Sequence, residues 1–378
     1  MINSDEFVRH LQRRGVSLFT GVPDSLLKSL CDSIEDLDPL YRVTATNEGT
    51  AVALAIGHHL ATGSIPCIYM QNSGLTNALN PLISLADASV SSIPLLLVIG
   101  WRGKPGMPDE PQHRMQGAIT LKQLELINIP TKVINISSWK QDLDELLAMA
   151  KDRQGAVACL ITKDLFKENQ YSKNTVALDS RILNRSIALE TILNFSEPSD
   201  LIISTTGYTS RELASLRMVR REQPKDFLVV GGMGHASAIA LGVARSCPER
   251  MVICLDGDGA LLMHLGALAM IGESKVSNLI HIILNNGCHE SVGGQRLAVS
   301  QDSYTEIACE LGYADCSDVS STQSLQDALC NIRKKCSKGA SFINVAIHPG
   351  LLGELPRPDL SPLDQKEAFI THVRWPVK

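Results

Sequence analysis

Short runs of continuously apolar residues recur along both halves of the chain and alternate with segments of helical character. The runs at 95–99 and 157–161 in the first half, and at 251–255 and 281–284 in the second, are apolar at nearly every position rather than at alternate positions. Strands that are buried on both faces of a parallel sheet have this composition. The alternation of such strands with helices predicts an α/β fold with doubly wound parallel sheets.

A polar segment at residues 167–174, which lacks an apolar period, separates the two halves. A chain of 378 residues has room for two or three ordinary domains. We therefore predict a first α/β domain over residues 1–170, a linker over residues 171–180 and a second α/β domain over residues 181–378.

The composition excludes several classes of function. Hydrophobic residues make up 44% of the chain and charged residues 20%, which is the balance of a soluble globular protein. The net charge of -5 and the aromatic content of 4% argue against nucleic acid and anionic membrane surfaces as partners. The longest apolar stretch, around residues 93–100, is too short to span a bilayer. The cysteines are scattered and the first residues lack the apolar core of a secretory signal, so we expect a cytoplasmic location.

The most specific feature is a Gly-Asp-Gly motif at 257–259 that is followed by an Asn-Asn motif at 285–286. Each motif follows an apolar strand, and a helix is expected over residues 260–270. The carboxyl ends of neighbouring parallel strands meet at one edge of a sheet, where ligands bind in such folds. Carboxylate and amide oxygens suit Mg²⁺, and a helix N-terminus favours phosphate. Gly-Asp-Gly alone is typical of a surface turn, but the pair at this spacing favours a magnesium–diphosphate site.

Three further features have both an ordinary and a functional interpretation. Glu48 stands between a strand and a helix, where a carboxylate commonly caps the helix or interacts with its dipole. Asp24 follows the first strand and is in a position to be an N-cap, while His113 lies in a segment expected to be a long loop. The glycine-rich run at 231–235 departs from the Gly-x-Gly-x-x-Gly pattern of dinucleotide sites, and a tight turn before a packed helix is also consistent with it.

The Gly-Asp-Gly and Asn-Asn motifs resemble the signature of the thiamine-diphosphate enzyme family. The resemblance implies that Asp258, the side chain of Asn286 and the main-chain carbonyl of Cys288 bind Mg²⁺. It also implies that Met233 lies beneath the cofactor and that the Gly231 carbonyl accepts a hydrogen bond from the aminopyrimidine. The full set of implied cofactor-binding residues is Gly231, Met233, Gly257, Asp258, Gly259, Ala260, Asn286 and Cys288.

The same resemblance assigns catalytic roles to residues of the first domain. Glu48 matches the family's glutamate that hydrogen-bonds N1′ of the cofactor pyrimidine and favours its imino form. Asp24 and His113 match the acidic residue and the histidine that transfer protons in the family's decarboxylases. The residues that we expect to contact the substrate are Gln71, Asn72, Ser73, Thr206 and Arg211.

Nearly the whole chain is similar to the members of this family that decarboxylate 3-phosphonopyruvate. Segments that carry the similarity include GVPDSLL, NEGTAVALAIGHHLATG, GGMGHASAIALG and NNGCHESVGGQ. The resemblance implies a thiamine-diphosphate- and Mg²⁺-dependent carboxy-lyase of phosphonate biosynthesis, which forms phosphonoacetaldehyde and CO₂. Most members carry a middle domain, whereas this chain has room only for the pyrimidine-binding and diphosphate-binding domains. Because the cofactor lies between subunits in this family, we expect at least a homodimer with active sites at the subunit interface.

Other interpretations stay open on the sequence alone. Within the family, the substrate could be sulfopyruvate or another 2-keto acid, although sulfopyruvate decarboxylases typically carry a cysteine at the position of Asp24. A non-catalytic binding subunit on the same fold is a second alternative, which the presence of Glu48 and Asp258 disfavours. A nucleotide-binding dehydrogenase is a third, which the poor glycine fingerprint disfavours.

Overall fold

The computed structural model describes residues 1–168, 183–297, 299, 303–335, 337–350, 355, 358 and 360–375. The chain divides into two compact units: residues 1–172 with 291–298 form the first, and residues 173–290 with 299–378 form the second. The predicted linker over 171–180 lies outside the described residues, so the predicted domain boundaries stay a prediction. Nothing in the sequence pattern indicates that residues 291–298 group with the first unit.

The first unit is built on a six-stranded parallel sheet with the strand order β2-β1-β3-β4-β6-β5. Its strands are β1 (Phe19–Gly21), β2 (Arg42–Thr44), β3 (Cys67–Gln71), β4 (Leu96–Gly100), β5 (Thr131–Val133) and β6 (Val157–Ile161). Its helices are α1 (Ser4–Arg13), α2 (Lys28–Glu35), α3 (Glu48–Thr62), α4 (Leu75–Pro81), α5 (Pro111–Leu126) and α6 (Trp139–Arg153). Short 3-10 helices at Pro39–Tyr41 and Asn72–Gly74 and a π-helical segment at Leu82–Ala86 complete it.

The second unit is also built on a six-stranded parallel sheet, with the order β11-β12-β10-β9-β7-β8. Its strands are β7 (Leu201–Ser204), β8 (Phe227–Leu228), β9 (Val252–Gly257), β10 (Leu279–Asn285), β11 (Asp315–Val319) and β12 (Ser341–Ala346). Its helices are α7 (Arg185–Phe195), α8 (Tyr208–Val219), α9 (Ala236–Ser246), α10 (Asp258–Met263), α11 (Ala267–Ser274), α12 (Ser303–Glu310), α13 (Thr322–Lys334) and α14 (Pro362–Val373).

The two sheets have the same strand order. When each unit's strands are counted from its own first strand, both sheets have the order second, first, third, fourth, sixth, fifth. The winding direction reverses between the first and third strands of each sheet, β1 and β3 in one and β7 and β9 in the other. Ligands of doubly wound sheets bind at such switch points. The predicted fold class, with two doubly wound parallel α/β sheets, is confirmed.

The central strands are buried along their whole length, which explains their continuously apolar sequences. Consecutive residues of β4 alternate between two apolar cores: Leu96 and Val98 belong to one, and Leu97 and Ile99 to the other. The two cores therefore cover the two faces of the first sheet. The edge strands β2 and β5 are half-exposed and more polar.

The helix predicted over residues 260–270 is two helices, α10 and α11. His264 leaves the helical conformation, with φ -136° and ψ 49°. Its ring stacks on that of His235 with 4.3 Å between the centroids. This contact with the glycine-rich loop favours the break over a continuous helix.

Every cysteine in the described part of the chain is a free thiol. No helix in that part is both long enough and apolar enough to cross a membrane. The cytoplasmic location stays a prediction.

Candidate active site

The two motifs of the predicted magnesium site meet at the carboxyl edge of the second sheet. β9 ends at Gly257, and Asp258 is the first residue of α10. One carboxylate oxygen of Asp258 accepts a hydrogen bond from the Gly259 N–H at 2.8 Å, and the other accepts one from the Gly287 N–H at 2.7 Å. The second bond joins the Gly-Asp-Gly turn to the loop after β10, as the shared sheet edge predicts.

Burial determines the electrostatics of Asp258. The residue is 4% exposed, and burial raises the pKa of its carboxyl to about 6, although backbone N–H groups and the charge of Arg185 oppose the rise. A bound cation stabilises such a desolvated carboxylate. Asp258, the amide oxygen of Asn286 and the Cys288 carbonyl form a set of hard oxygen donors, which suits Mg²⁺ better than a thiophilic metal.

The loop after β10 holds the other predicted metal ligands. The side-chain oxygen of Asn286 accepts a hydrogen bond from the Cys288 N–H at 3.1 Å, and its amide nitrogen donates one to Glu290 at 2.8 Å. The Cys288 carbonyl accepts from the Glu290 N–H at 3.0 Å, which leaves its second lone pair for a metal ion. Burial raises the pKa of the Cys288 thiol to about 12, so the thiol stays protonated at neutral pH.

The glycine-rich loop after β8 packs against the start of α10. Gly234 has a φ of +89°, and a Cβ there would lie 2.8 Å from the Ala260 carbonyl oxygen, so both its backbone conformation and its close approach require glycine. Gly231 and Met233 are half-buried in the same loop. The predicted cofactor-binding residues that the second unit gathers at this sheet edge are Gly231, Met233, Gly257, Asp258, Gly259, Ala260, Asn286 and Cys288.

Thr206 and Arg211, which we predicted to bind substrate, lie at the start of α8. The Thr206 hydroxyl donates to the Val230 carbonyl at 3.2 Å and so ties the end of β7 to the glycine-rich loop. Arg211 lines a cavity between α8 and α14, together with Met218 and Leu360. None of the predicted magnesium ligands is among the described residues that line this cavity. The structure therefore does not bring Arg211 together with those ligands.

In the first unit, Glu48 is the first residue of α3. Asn47 caps this helix by accepting a hydrogen bond from the Thr50 N–H, so the capping role expected of Glu48 belongs to Asn47. The Glu48 side chain is buried, and one of its oxygens accepts from the Asn77 amide at 2.9 Å. A Cβ on Gly74 would lie 2.2 Å from the other oxygen. The Glu48 carboxylate is therefore held in place by a hydrogen bond and by packing.

Asp24 lies after β1, at the switch point of the first sheet. The N-cap of α2 is Leu27, so Asp24 is not the cap that its ordinary interpretation predicts. Its carboxylate is 1% exposed and accepts from the Gln71 amide at 2.6 Å. Burial raises the pKa of Asp24, while the Gln71 hydrogen bond and the charge of Arg102 oppose the rise. Burial thus favours the protonated form, which is the form that donates a proton.

The three residues predicted to face the substrate after β3 differ in their contacts. The Gln71 amide oxygen accepts from the Ser73 hydroxyl at 2.7 Å, while its nitrogen donates to Asp24, so these three side chains form one chain of hydrogen bonds. Asn72 is fully buried, and its amide donates to the Arg102 carbonyl and to a hydroxyl on α5, each at 2.9 Å. The substrate contact predicted for Asn72 is not supported, because its amide hydrogens are used within the fold.

His113 lies on a helix and not on the long loop that the sequence predicts. It is in the first turn of α5, and a Cβ on Gly103 would lie 1.9 Å from its carbonyl oxygen. Arg102 donates to Asp109 at 2.9 and 2.6 Å and to the Ser25 hydroxyl at 3.1 Å. Hydrogen bonding to Arg102 holds the pKa of Asp109 well below its usual range. This ion pair closes the segment between β4 and α5 into a compact loop, so the helix begins before His113.

Sequence reasoning missed Asn77 and Glu290, each of which holds a predicted site residue. Asn77 lies 29 positions from Glu48, and Glu290 follows the Asn-Asn motif by only four positions. The sequence motifs assign no role to either residue, although Glu290 lies within the segment NNGCHESVGGQ. The short separation of Glu290 from Asn286 was the one available signal, because it places both side chains on the same loop.

Two protein-family models match the chain. Residues 3–126 match the family "Thiamine pyrophosphate enzyme, N-terminal TPP binding domain", and residues 206–345 match "Thiamine pyrophosphate enzyme, C-terminal TPP binding domain". The first match falls within the first unit, and the second begins and ends in the second unit.

Three curated relatives cover nearly the whole chain. The chain is 35% identical to phosphonopyruvate decarboxylase of Streptomyces viridochromogenes, with 100% of this chain and 96% of that protein covered. It is 32% identical to phosphonopyruvate decarboxylase of Streptomyces hygroscopicus, with 98% and 93% covered. It is 26% identical to sulfopyruvate decarboxylase of Methanosarcina acetivorans, with 98% and 97% covered. The chain therefore belongs to the phosphonopyruvate decarboxylase family of thiamine-diphosphate-dependent decarboxylases, which are carboxy-lyases.

Proposed function

We propose that this enzyme converts 3-phosphonopyruvate to phosphonoacetaldehyde and CO₂ in phosphonate biosynthesis, with thiamine diphosphate and Mg²⁺ as cofactors. The observation that carries the proposal is the buried Asp258 carboxylate, which bonds to the Gly287 N–H and so unites the two motifs of a magnesium–diphosphate site. The two full-length Streptomyces relatives supply the substrate, through the activity in their names.

Magnesium would be held by the Asp258 carboxylate, the Asn286 amide oxygen and the Cys288 carbonyl. The glycine-rich loop with Gly231 and Met233 would support the organic part of the cofactor, since this loop packs on the start of α10. Bound thiamine diphosphate supplies a carbanion nucleophile for the keto carbon and an electron sink for the departing carboxylate. The protein supplies binding, orientation and proton transfer.

Glu48 would share a proton with the pyrimidine ring of the cofactor. Asn77 occupies one of its carboxylate oxygens and Gly74 leaves room for the other, so the side chain has one defined position. Burial excludes competing water and strengthens the hydrogen bond that Glu48 would make. Replacing the carboxylate with an amide, as in Glu48→Gln, should remove activity while the second unit still binds Mg²⁺.

Asp24 would donate the proton that completes the aldehyde. Loss of CO₂ leaves an electron pair on the former keto carbon, and a proton must be added there to form the aldehyde C–H bond. Burial favours the protonated form of Asp24, and Gln71, which is held in turn by Ser73, orients its carboxyl. His113 is the second proton-transfer group that we propose.

The doubly charged phosphonate requires cationic or N–H donors. We favour Arg102 over Arg211 as the cation that binds the phosphonate, because Arg211 lines the cavity beside α14. Arg102 donates to Ser25, which follows Asp24 directly, and its charge acts on the Asp24 carboxyl. Thr206 stays a proposed contact. We expect Arg102→Ala to raise the KM for phosphonopyruvate more than Arg211→Ala does, and a larger effect of Arg211→Ala in steady-state kinetics would contradict this assignment.

We propose at least a homodimer with its active sites at the subunit interface. Helix α3 and the π-helical segment after α4 expose large apolar side chains: Leu54 is 36% exposed, Leu60 71%, Ile83 43% and Leu85 46%. Exposed apolar surface of this kind is typical of protein–protein contacts. It therefore supports association through the helices that carry and neighbour Glu48.

A mixing experiment tests whether the site is shared between subunits. Chains with Glu48→Gln and chains with Asp258→Ala should each be inactive alone. Mixed dimers should regain activity, because one of their two sites would combine an intact Glu48 with an intact Asp258. Mixed dimers that are verified by mass and stay inactive would contradict a shared site.

The central test is CO₂ release from phosphonopyruvate, with and without added thiamine diphosphate and Mg²⁺. We expect turnover only when both are present, and a higher kcat/KM for phosphonopyruvate than for sulfopyruvate or pyruvate. Preference for sulfopyruvate would support the alternative that the Methanosarcina relative represents. No turnover of any 2-keto acid would refute the proposed reaction.

A further inference from the structure

A buried cluster of charged side chains lies beside the loop that carries Asn286. We define this cluster as Arg185, Glu212 and Glu290. The Arg185 guanidinium donates to Glu212 at 2.9 Å and to Glu290 through its other terminal nitrogen. Arg185 and Glu212 are almost completely buried, and the Glu290 side chain is 15% exposed. The cluster joins the start of α7, the first turns of α8 and the loop after β10.

Fold stability is a poor explanation for this cluster. Arg185 is the first residue of α7, where the helix dipole disfavours a cation. The cluster contains one cation and two carboxylates, and burial raises the pKa of Glu212 despite the opposing charge of Arg185. Ion pairs buried in this way commonly contribute little net stability. The burial of these charges is therefore better explained by a contact that one of the three side chains makes outside the cluster.

That contact is the hydrogen bond from the Asn286 amide nitrogen to Glu290 at 2.8 Å. The second Glu290 oxygen accepts from the Gly350 N–H, and Arg185 donates to the same oxygen that Asn286 does. A carboxylate can only accept hydrogen bonds, so it can bind the NH₂ side of an amide but not the oxygen side. Glu290 therefore turns the Asn286 amide oxygen away from itself, toward the Cys288 N–H.

We propose that Glu290, held in place by Arg185, is a positioning residue that presents the Asn286 oxygen to the magnesium ion. Without this acceptor, the amide is able to rotate and place its NH₂ group against the cation. The inference rests on the proposed function, because it assumes that Asn286 is a magnesium ligand. It extends that function to Arg185 and Glu290, which are 105 positions apart in the chain.

The test compares Glu290→Met with a matched control, Glu212→Met. Both variants remove one of the two carboxylates that pair with Arg185, and only Glu290 touches Asn286. Mg²⁺ is titrated into the full-length protein at saturating thiamine diphosphate, and its Kd is measured by calorimetry. Loss of an outer-shell partner weakens metal binding by about 10–100-fold, so we expect that change for Glu290→Met and less than about threefold for Glu212→Met. Melting curves without Mg²⁺ establish that each variant is folded.

Making the same substitution in the Asn286→Asp variant distinguishes positioning of the Asn286 amide from a general structural role of Glu290. In Asn286→Asp, both oxygens of residue 286 are acceptors, so its orientation no longer matters, and the new carboxylate repels Glu290. Glu290→Met should then leave Mg²⁺ binding unchanged or strengthen it, whereas damage to the fold would weaken binding in both backgrounds. If Glu290→Met does not fold, Glu290→Asp replaces it in the Kd comparison, because this variant keeps the negative charge but shortens the side chain and so withdraws the oxygen that accepts from Asn286.

The outcomes distinguish this inference from the proposed function. Wild-type protein that binds no Mg²⁺ with thiamine diphosphate would refute the proposed cofactor site itself. Wild-type binding with an equal Kd in Glu290→Met, or an equal loss in Glu212→Met, would overturn the positioning role alone. Weaker binding confined to Glu290→Met, and absent in the Asn286→Asp background, would support it.

Discussion

Gly74 sets the position of Glu48, and the variant Gly74→Ala tests how much activity depends on that position. A Cβ on Gly74 would lie 2.2, 2.5 and 2.6 Å from three atoms of the Glu48 side chain. Non-bonded atoms prefer separations of about 3.5–4.0 Å, so the whole carboxylate must move by about 1 Å. Gly74 has a φ of -72°, which alanine adopts without strain. The perturbation is therefore a displacement of the one carboxylate that we propose acts on the cofactor.

We expect kcat for phosphonopyruvate to fall about 10²-fold in Gly74→Ala, because a 1 Å misplacement of a reacting group has an effect of that size. Overpacking should cost about 1–3 kcal/mol of stability, which leaves the protein folded for assay. Continuous measurement of CO₂ release gives kcat, and titration with thiamine diphosphate and Mg²⁺ shows whether the cofactor still binds. A structure of the variant would show the displaced carboxylate.

Gly242→Ala is the control. Gly242 lies on α9 in the second unit, and a Cβ there would have nothing within 4 Å. This variant should keep wild-type kcat and gain a little stability, because alanine has a higher helix propensity than glycine. The reasoning is refuted if Gly74→Ala is folded, binds the cofactor and has a kcat within twofold of the control.

Three further predictions concern Asp24 and Asp258. Gly100→Ala would place a Cβ 2.4 Å from the Asp24 carboxylate, so kcat should fall while cofactor affinity, measured by titration, stays unchanged. Burial raises the folded-state pKa of Asp24, so the wild type loses stability as pH rises above about 4, the ordinary pKa of an aspartate, and through the folded-state pKa. The Tm of Asp24→Asn relative to the wild type should therefore grow as pH rises above about 4, and a constant difference would contradict this. Thiamine diphosphate with Mg²⁺ at 100 times Kd should add about 2.7 kcal/mol of stability, and EDTA or Asp258→Ala should remove that gain in thermal denaturation.

The fold was largely predictable because burial on both faces of a sheet leaves a direct record in the sequence. β4, β6 and β10 are buried at every position and are apolar at nearly every position. The meeting of Asp258 with the loop after β10 followed from strand direction alone, since parallel strands present their carboxyl ends at one edge. The break at His264 and the helical position of His113 were wrongly predicted, because both depend on contacts between distant segments.

The rest of the site was not predictable for a related reason. The side chains that hold Glu48 and Asn286 make single hydrogen bonds, which impose no repeating pattern on the sequence. The fit of Gly74 and Gly100 against buried carboxylates is likewise visible only in three dimensions, because a glycine in a loop has many ordinary explanations. Asn47, and not its acidic neighbour, caps α3, and either residue type is suited to that role.

The shared strand order of the two sheets has an evolutionary consequence. Two sheets of six strands with the same order in one chain are most simply explained by duplication of a single ancestral unit. Each unit has an aspartate beside its switch point: Asp24 follows the first strand of the first unit, and Asp258 follows the third strand of the second unit. On the proposed function, one ancestral scaffold would have given rise to a copy that transfers protons and a copy that anchors the cofactor.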